Sequence, residues 1–260
     1  INKEVYLKMA GHSKFANIKH RKGAQDKKRA KIFAKHGKEI TVATKMGGID
    51  PDMNPRLRLA ISSARAANMP NDRIKRAIEV GDPNSNDSAD YEEIRYEGYG
   101  HDGVAVIVET LTDNRNRTVA DIRMLFSKSN ANLGESNSVL FGFDNVGEII
   151  LPKSIGDFES VFEFALESGA EDITDDGDYF GVYCAREDFA AVQKALEDKY
   201  ETIEKSGLIW KPNTMIDVDL DTAEKNMRLI DNLEDNDDVQ SVFTNMDMTD
   251  EIAEKLMANE

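Results

Sequence analysis

The chain has 260 residues, 40% hydrophobic and 32% charged, long enough for two or three domains with packed cores. No apolar run approaches the roughly 18 to 20 residues that span a bilayer, and a lone cysteine, Cys184, excludes an intramolecular disulfide and fits a reducing compartment. The formal net charge of −16 hides a division: residues 1–80 hold 19 Lys and Arg against 7 Asp and Glu, a net of +12, while the remaining 180 residues carry −28.

Residues Ile1 to Lys8 lack the apolar core and cleavage pattern of a signal peptide, so the chain reads as cytoplasmic, with Met9 as a natural start. Between Lys14 and Lys45 stand 11 bases and only two acids, Asp26 and Glu39. On a helix turning about 100° per residue, Lys27, Lys31, Lys35, Lys38 and Lys45 gather within roughly 80° of one face. Ile32, Phe33, His36, Ile40 and Ala43 are expected on the other. Val42 falls on the cationic side, and Gly37 is a point of expected bending or breakage. Gly47-Gly48 ends this helix. Asn54-Pro55 opens a second one carrying Leu57, Ile61 and Ala64 at core spacing, with Pro in the first turn where its missing N–H costs nothing. Met69-Pro70 breaks it, and Ile74, Ala77 and Ile78 mark a third. Residues 1–80 thus read as a basic helical bundle with a flexible N-terminal arm, and Gly81 to Asp90 as a linker of turn-forming residues.

Beyond the linker, strands are predicted at Ile94–Glu97 and Val104–Leu111 around a hairpin turn, Gly98 to Gly103, followed by a helix over Thr118–Lys128. The next elements are predicted in the order strand Gly147–Leu151, helix Asp157–Ser168, strands Glu171–Thr174 and Tyr179–Ala185, helix Glu187–Lys199, and a strand near Ile203–Trp210. That β-α-β-β-α-β order is ferredoxin-like. A strand Met215–Leu220, a helix Thr222–Asn232, a strand Val239–Phe243 and a terminal helix complete the count. The fold class is therefore α+β and multidomain: a helical bundle (1–80), then a discontinuous α+β domain (91–136 plus 211–260) carrying an inserted ferredoxin-like domain (137–210).

The lysine stripe, rising about 1.5 Å per residue, is long enough to meet several backbone phosphates and release their counterions. With few interleaved acids to pair it, it reads as a nucleic-acid contact. Substituting Lys27, Lys31 and Lys35 by Ala is then expected to flatten the salt dependence of binding. Gly11-His12-Ser13-Lys14-Phe15 has the composition of an arm that orders on RNA and stacks a base. In Asp113 to Thr118, Arg115 and Arg117 flank a helix start and are candidates for a secondary phosphate contact, against the alternative of an Asp or Asn cap with exposed arginines. Asp217, Asp219 and Asp221 alternate with Val218 and Leu220. On a strand they share one face, as a magnesium-dependent nuclease needs, although any half-exposed strand of an acidic domain shows the same pattern. No metal-ligand spacing, P-loop or nucleophile elbow occurs, so no cofactor, metal or small-molecule substrate is expected and the chain does not read as an enzyme.

Several segments together resemble the YebC family: Ala10 to Phe15, His20 to Asp26, Gly48 to Pro51, Asn54 to Arg58, Ala67 to Pro70, Tyr96 to Gly100, Asp113 to Thr118 and Asn132 to Gly134. The family includes bacterial proteins described as transcriptional regulators and the mitochondrial translational activator of cytochrome c oxidase subunit I. Phe15 stands where the family usually has Trp, and His101 where Pro is common, which is expected to leave the hairpin less rigid. The resemblance implies the three-domain architecture above and a non-catalytic role, either in translation on the ribosome through stretches such as consecutive prolines or in transcription on DNA. It places nucleic-acid contacts at His12, Ser13, Lys14, Phe15, Lys19, His20, Arg21, Lys22, Lys27 and Lys28, with Arg56 and Arg58 as neighbours. The expected partners are ribosomal RNA or tRNA on the ribosome, with DNA as the alternative, and no membrane.

Overall fold

In the computed structural model, which describes residues 25–85 and 91–258, the basic segment forms one uninterrupted helix, α1 (Gln25–Gly47). Gly37 does not break it. Phe33, Ile40 and Ala43 pack with Leu57, Ala60, Ile61 and Ala64 of α2 (Pro55–Ala66) and Ile74 and Ala77 of α3 (Asn71–Gly81). Ile32, expected in that core, is 44% exposed, because it stands one residue, about 100°, around the helix from Phe33. Asn54 caps α2 by accepting from the Leu57 N–H at 3.1 Å, and it also donates to the carbonyls of Ala43 and Gly48. Gly81, read from sequence as the start of the linker, is instead the buried last residue of α3. A side chain there would strike the Thr41 carbonyl and Thr44 of α1, so this glycine permits close approach of two helices.

Among the described residues, contacts divide the molecule into two compact units, one comprising residues 25–138 with Lys225–Val242, the other Val139–Glu224 with residues from Phe243 onward. In the first, β1 (Glu92–Tyr99) and β2 (Ala105–Thr112) form an antiparallel hairpin in register from Glu92↔Thr112 to Tyr99↔Ala105. After α4 (Arg115–Lys128) comes β3 (Asn132–Leu133), and with the later strand β9 (Val239–Thr244) the sheet has the order β3-β1-β2-β9. The hairpin turn is pinned by the buried Asn226, which accepts from the His101 N–H at 2.8 Å and donates to the His101 carbonyl at 3.3 Å. The His101 ring lies 2.8 Å from the Ser129 carbonyl. A proline at 101 has no N–H for Asn226, so the histidine adds tethers where a looser hairpin was expected.

The second unit contains β4 (Phe143–Pro152), α5 (Phe158–Glu167), β5 (Asp172–Asp175), β6 (Tyr179–Ala185), α6 (Phe189–Tyr200) and β7 (Lys205–Pro212). The strands of its four-stranded sheet are all antiparallel, in the order β5-β6-β4-β7, with Ile149 opposite Val182 and Ser206. Ile149, Leu151, Ile173, Phe180, Val182 and Leu196 are its buried apolar layer. The strand expected over Met215–Leu220 shrinks to β8 (Ile216–Asp217), which pairs in parallel with β10 (Met246–Asp247). Asp219 leaves the strand to cap α7 (Leu220–Glu234), accepting from the Thr222 N–H at 2.9 Å. The three carboxylates therefore do not share a strand face, which removes the nuclease pattern. β9 (Val239–Thr244) and α8 (Asp250–Ala258) complete the described chain.

Candidate nucleic-acid interface

The middle of the lysine face of α1 is covered. Lys31 Nζ meets Asp235 Oδ1 at 3.1 Å and also binds the Asp235 carbonyl. Lys35 Nζ reaches the Glu234 carbonyl at 3.1 Å, and Lys38 Nζ reaches the Asp237 carbonyl at 2.9 Å and Asp238 Oδ1 at 2.8 Å. The segment Glu234-Asp235-Asn236-Asp237-Asp238, between α7 and β9, thus holds three of the lysines that the sequence reading offered to phosphates. Lys31, Lys35 and Lys38 are corrected accordingly: they are occupied by an acidic segment of the same unit. The reason is electrostatic and topological. A cationic stripe and a loop with four acids are attracted across some 200 positions of sequence, and the β2–β9 edge brings the loop to the helix.

Asp238 is the centre of this contact. Its side chain is 5% exposed and takes Lys38 on Oδ1, with Arg117 at 2.7 Å, Thr118 Oγ1 at 2.8 Å and Thr112 Oγ1 at 3.1 Å on Oδ2. Burial alone would raise the carboxyl pKa, but the hydrogen bonds from Lys38, Arg117 and Thr118 outweigh it and hold the value at about 2. Arg117 is therefore no phosphate clamp: it bridges Asp113 at 2.8 Å and Asp238. Asn114 caps α4, accepting from the Arg117 N–H at 3.1 Å, and Arg115 is exposed. Beside the contact lies a cleft of about 670 Å³, lined among others by Lys31, Lys38, Tyr91, Arg117 and Asp121. Its cations are matched by Asp113, Asp235 and Asp238, so little positive field is left there for an anion.

Arg56 pairs with Glu39 at 2.7 Å and also with Glu93, so it too is neutralised, whereas Arg58 is exposed. His12, Ser13, Lys14, Phe15, Lys19, His20, Arg21 and Lys22 lie outside the described residues. Lys27 and Lys28 fall in the first turns of α1 with side chains likewise outside them. The cations that sequence reasoning passed over are Arg65, Arg73, Lys75 and Arg76, all exposed, and Arg29, considered from sequence only for reading bases, is exposed too. The signals available were α2, PRLRLAISSARA, with three arginines and no acid, and in α3 the three bases Arg73, Lys75 and Arg76 within four residues.

Among the described residues no group of three or more His, Cys, Asp or Glu is placed to hold a metal ion, and no helix is long and apolar enough to cross a membrane. The architecture is α+β, an N-terminal helical region joined to antiparallel sheets. The chain belongs to the TACO1/YebC family: residues 13–84 match the family's N-terminal domain, and residues 91–246 match its second and third domain. It is also similar to a conserved hypothetical protein, Aq1575, of Aquifex aeolicus, known from a crystal structure. The identity is 41% over 90% of this chain and 96% of that one, with a TM-score of 0.82.

Proposed function

We propose that this protein is a non-enzymatic, cytoplasmic regulator of gene expression that binds structured RNA on the ribosome and assists elongation through difficult stretches such as consecutive prolines. The observation that carries the reading is the distribution of charge after internal pairing. The acidic 234–238 segment neutralises the middle of the α1 stripe, yet exposed arginines remain on α2 and α3, and the preceding arm is basic. A helical region with surplus cations at one end of a chain whose remainder carries −28 suits one-ended docking on polyphosphate, with the acidic part repelled from it. In this reading the unit built on β5-β6-β4-β7 is a ferredoxin-like domain inserted in the α+β domain.

A second reading, a DNA-binding transcriptional regulator, draws support from the same arginines, since Arg binds guanine edges bidentately where Lys cannot. Cosedimentation with ribosomes, compared with duplex DNA binding at matched salt, separates the two. Ribosome association without preference for one duplex sequence is the expected result. Absence from the ribosome pellet, with one promoter bound far tighter than scrambled DNA, would reverse the assignment.

A further inference from the structure

We infer that Arg29, Arg73 and Arg76 form the phosphate-gripping surface of the helical region, in place of the lysine face of α1. The inference rests on the nucleic-acid-binding reading above and names the side chains that perform it. Phe33, 8% exposed, has the Arg29 guanidinium from α1 over its ring and the Arg73 guanidinium from α3 over the same ring, each 5.6 Å from the centroid. One ring thus organises two guanidinium groups from different helices at one spot. Arg76 follows Arg73 by three residues, so the two are neighbours on the surface of α3.

These three groups differ from the stripe lysines in one decisive respect. Asp72 and Glu79 stand on the same helix, at spacings that allow pairing with Arg76, yet no ion pair joins Arg29, Arg73 or Arg76 to a described residue. Their positive charge is therefore available to a ligand, whereas Lys31 and Lys38 have spent theirs on Asp235 and Asp238. Guanidinium groups that lie on an aromatic ring keep their N–H edges directed outward, and those edges fit phosphate oxygens in pairs. Arg29 also stands where α1 continues the basic run from Lys14, so this surface is contiguous in sequence with the arm. The chemistry it takes is a phosphodiester backbone, which RNA and DNA share.

The test uses the full chain with a labelled RNA hairpin and a DNA duplex of equal length, titrated over a salt series. Each lost phosphate contact lowers the slope of log K against log salt by about 0.7 on single strands and about 0.9 on duplex. The double variant Arg73→Gln/Arg76→Gln is expected to lose about one and a half units of slope, and Lys31→Gln/Lys35→Gln none. Because Arg73 also packs on Phe33, Arg73→Lys/Arg76→Lys serves as the rescue, expected to restore most of the slope at unchanged helicity. Stronger binding of the hairpin assigns the surface to RNA, and stronger binding of the duplex assigns it to DNA. If the unaltered chain binds neither probe with a salt-dependent slope, the nucleic-acid reading fails. If the Arg73→Gln/Arg76→Gln variant binds with the full slope, or slope is lost only with Lys31→Gln/Lys35→Gln, the nucleic-acid reading stands and this surface is wrong.

Discussion

Replacing Asp238 by Asn should weaken the first unit by about 2 to 4 kcal/mol near neutral pH. The lower figure follows from the carboxyl itself, whose pKa falls from 3.8 to about 2 on folding, each unit being worth about 1.4 kcal/mol. The upper figure allows for Lys38, 17% exposed, which the substitution leaves beside a neutral amide. The sign is that of a depressed acid: its stabilisation is present above about pH 4 and is lost as the pH falls through about 2. The gap between the original chain and the variant should therefore be full at pH 7 and should close between about pH 4 and pH 2. Urea denaturation of the full chain, followed by amide exchange across α1 and the end of β2, reads the unit that contains the site. Asp235→Asn provides the contrast. Its side chain is 75% exposed and its partner Lys31 37%, so the change should cost under about 1 kcal/mol at any pH. Equal stability of Asp238→Asn and the original chain at pH 7, or a gap that does not narrow in acid, would refute the assignment of Asp238 as the centre of the contact.

Three further outcomes follow from single sites. Asn54→Ala removes a helix cap and the amide donor to one buried and one half-buried carbonyl, so it should lower stability by about 2 to 3 kcal/mol in denaturant titration, more than an ordinary exposed cap. Gly100→Ala puts a methyl group against Asn226 Oδ1, and the hairpin should loosen by about 1 to 3 kcal/mol, seen as faster amide exchange at His101. Burial pushes the Cys184 thiol up to about 11, so a thiol reagent near pH 8 should label it only as fast as the protein opens, and labelling in urea should be immediate. That thiol favours the folded state below about pH 9, and the contribution is lost as the pH rises through about 11.

What the sequence made legible was local. Caps at Asn54 and Asp157, the hairpin at Gly98 to Gly103 and the alternation of elements from Gly147 to Trp210 each depend on residues within a turn or two of one another, and each element formed close to where it was expected. The misreadings share a different origin. Gly81 reads locally as the start of the linker because the neighbouring helix that requires its missing side chain lies some 40 positions away. Asp219 was counted with a strand face because a cap and an alternating strand begin with the same residue types. The lysine face of α1 read as open because its occupants stand some 200 positions later. One signal was present all the same: Val42, in the middle of that face, is 6% exposed. An aliphatic residue centred in a cationic stripe marks a stripe that is covered.

Val42 also explains why a helix so basic is stable between two packed faces. On one side Phe33, Ile40 and Ala43 bury against α2 and α3, and on the other Val42 is covered where Lys38 reaches Asp238 and the end of β2. Lysines in such a position can bury their stems and place their ammonium groups on carbonyls and carboxylates at the rim. An uncharged loop over that face would still offer carbonyls, but Lys31 and Lys38 would lose the carboxylates of Asp235 and Asp238, so acids in this loop are what the charge on that face of α1 favours. The same pairing withdraws the middle of the stripe from competition for phosphate and leaves Arg73 and Arg76, like Lys75, as exposed cations of α3 with no ion pair to a described residue. Affinity for polyphosphate should accordingly follow the arginines of α3, and the stability of the first unit should follow the lysines of α1.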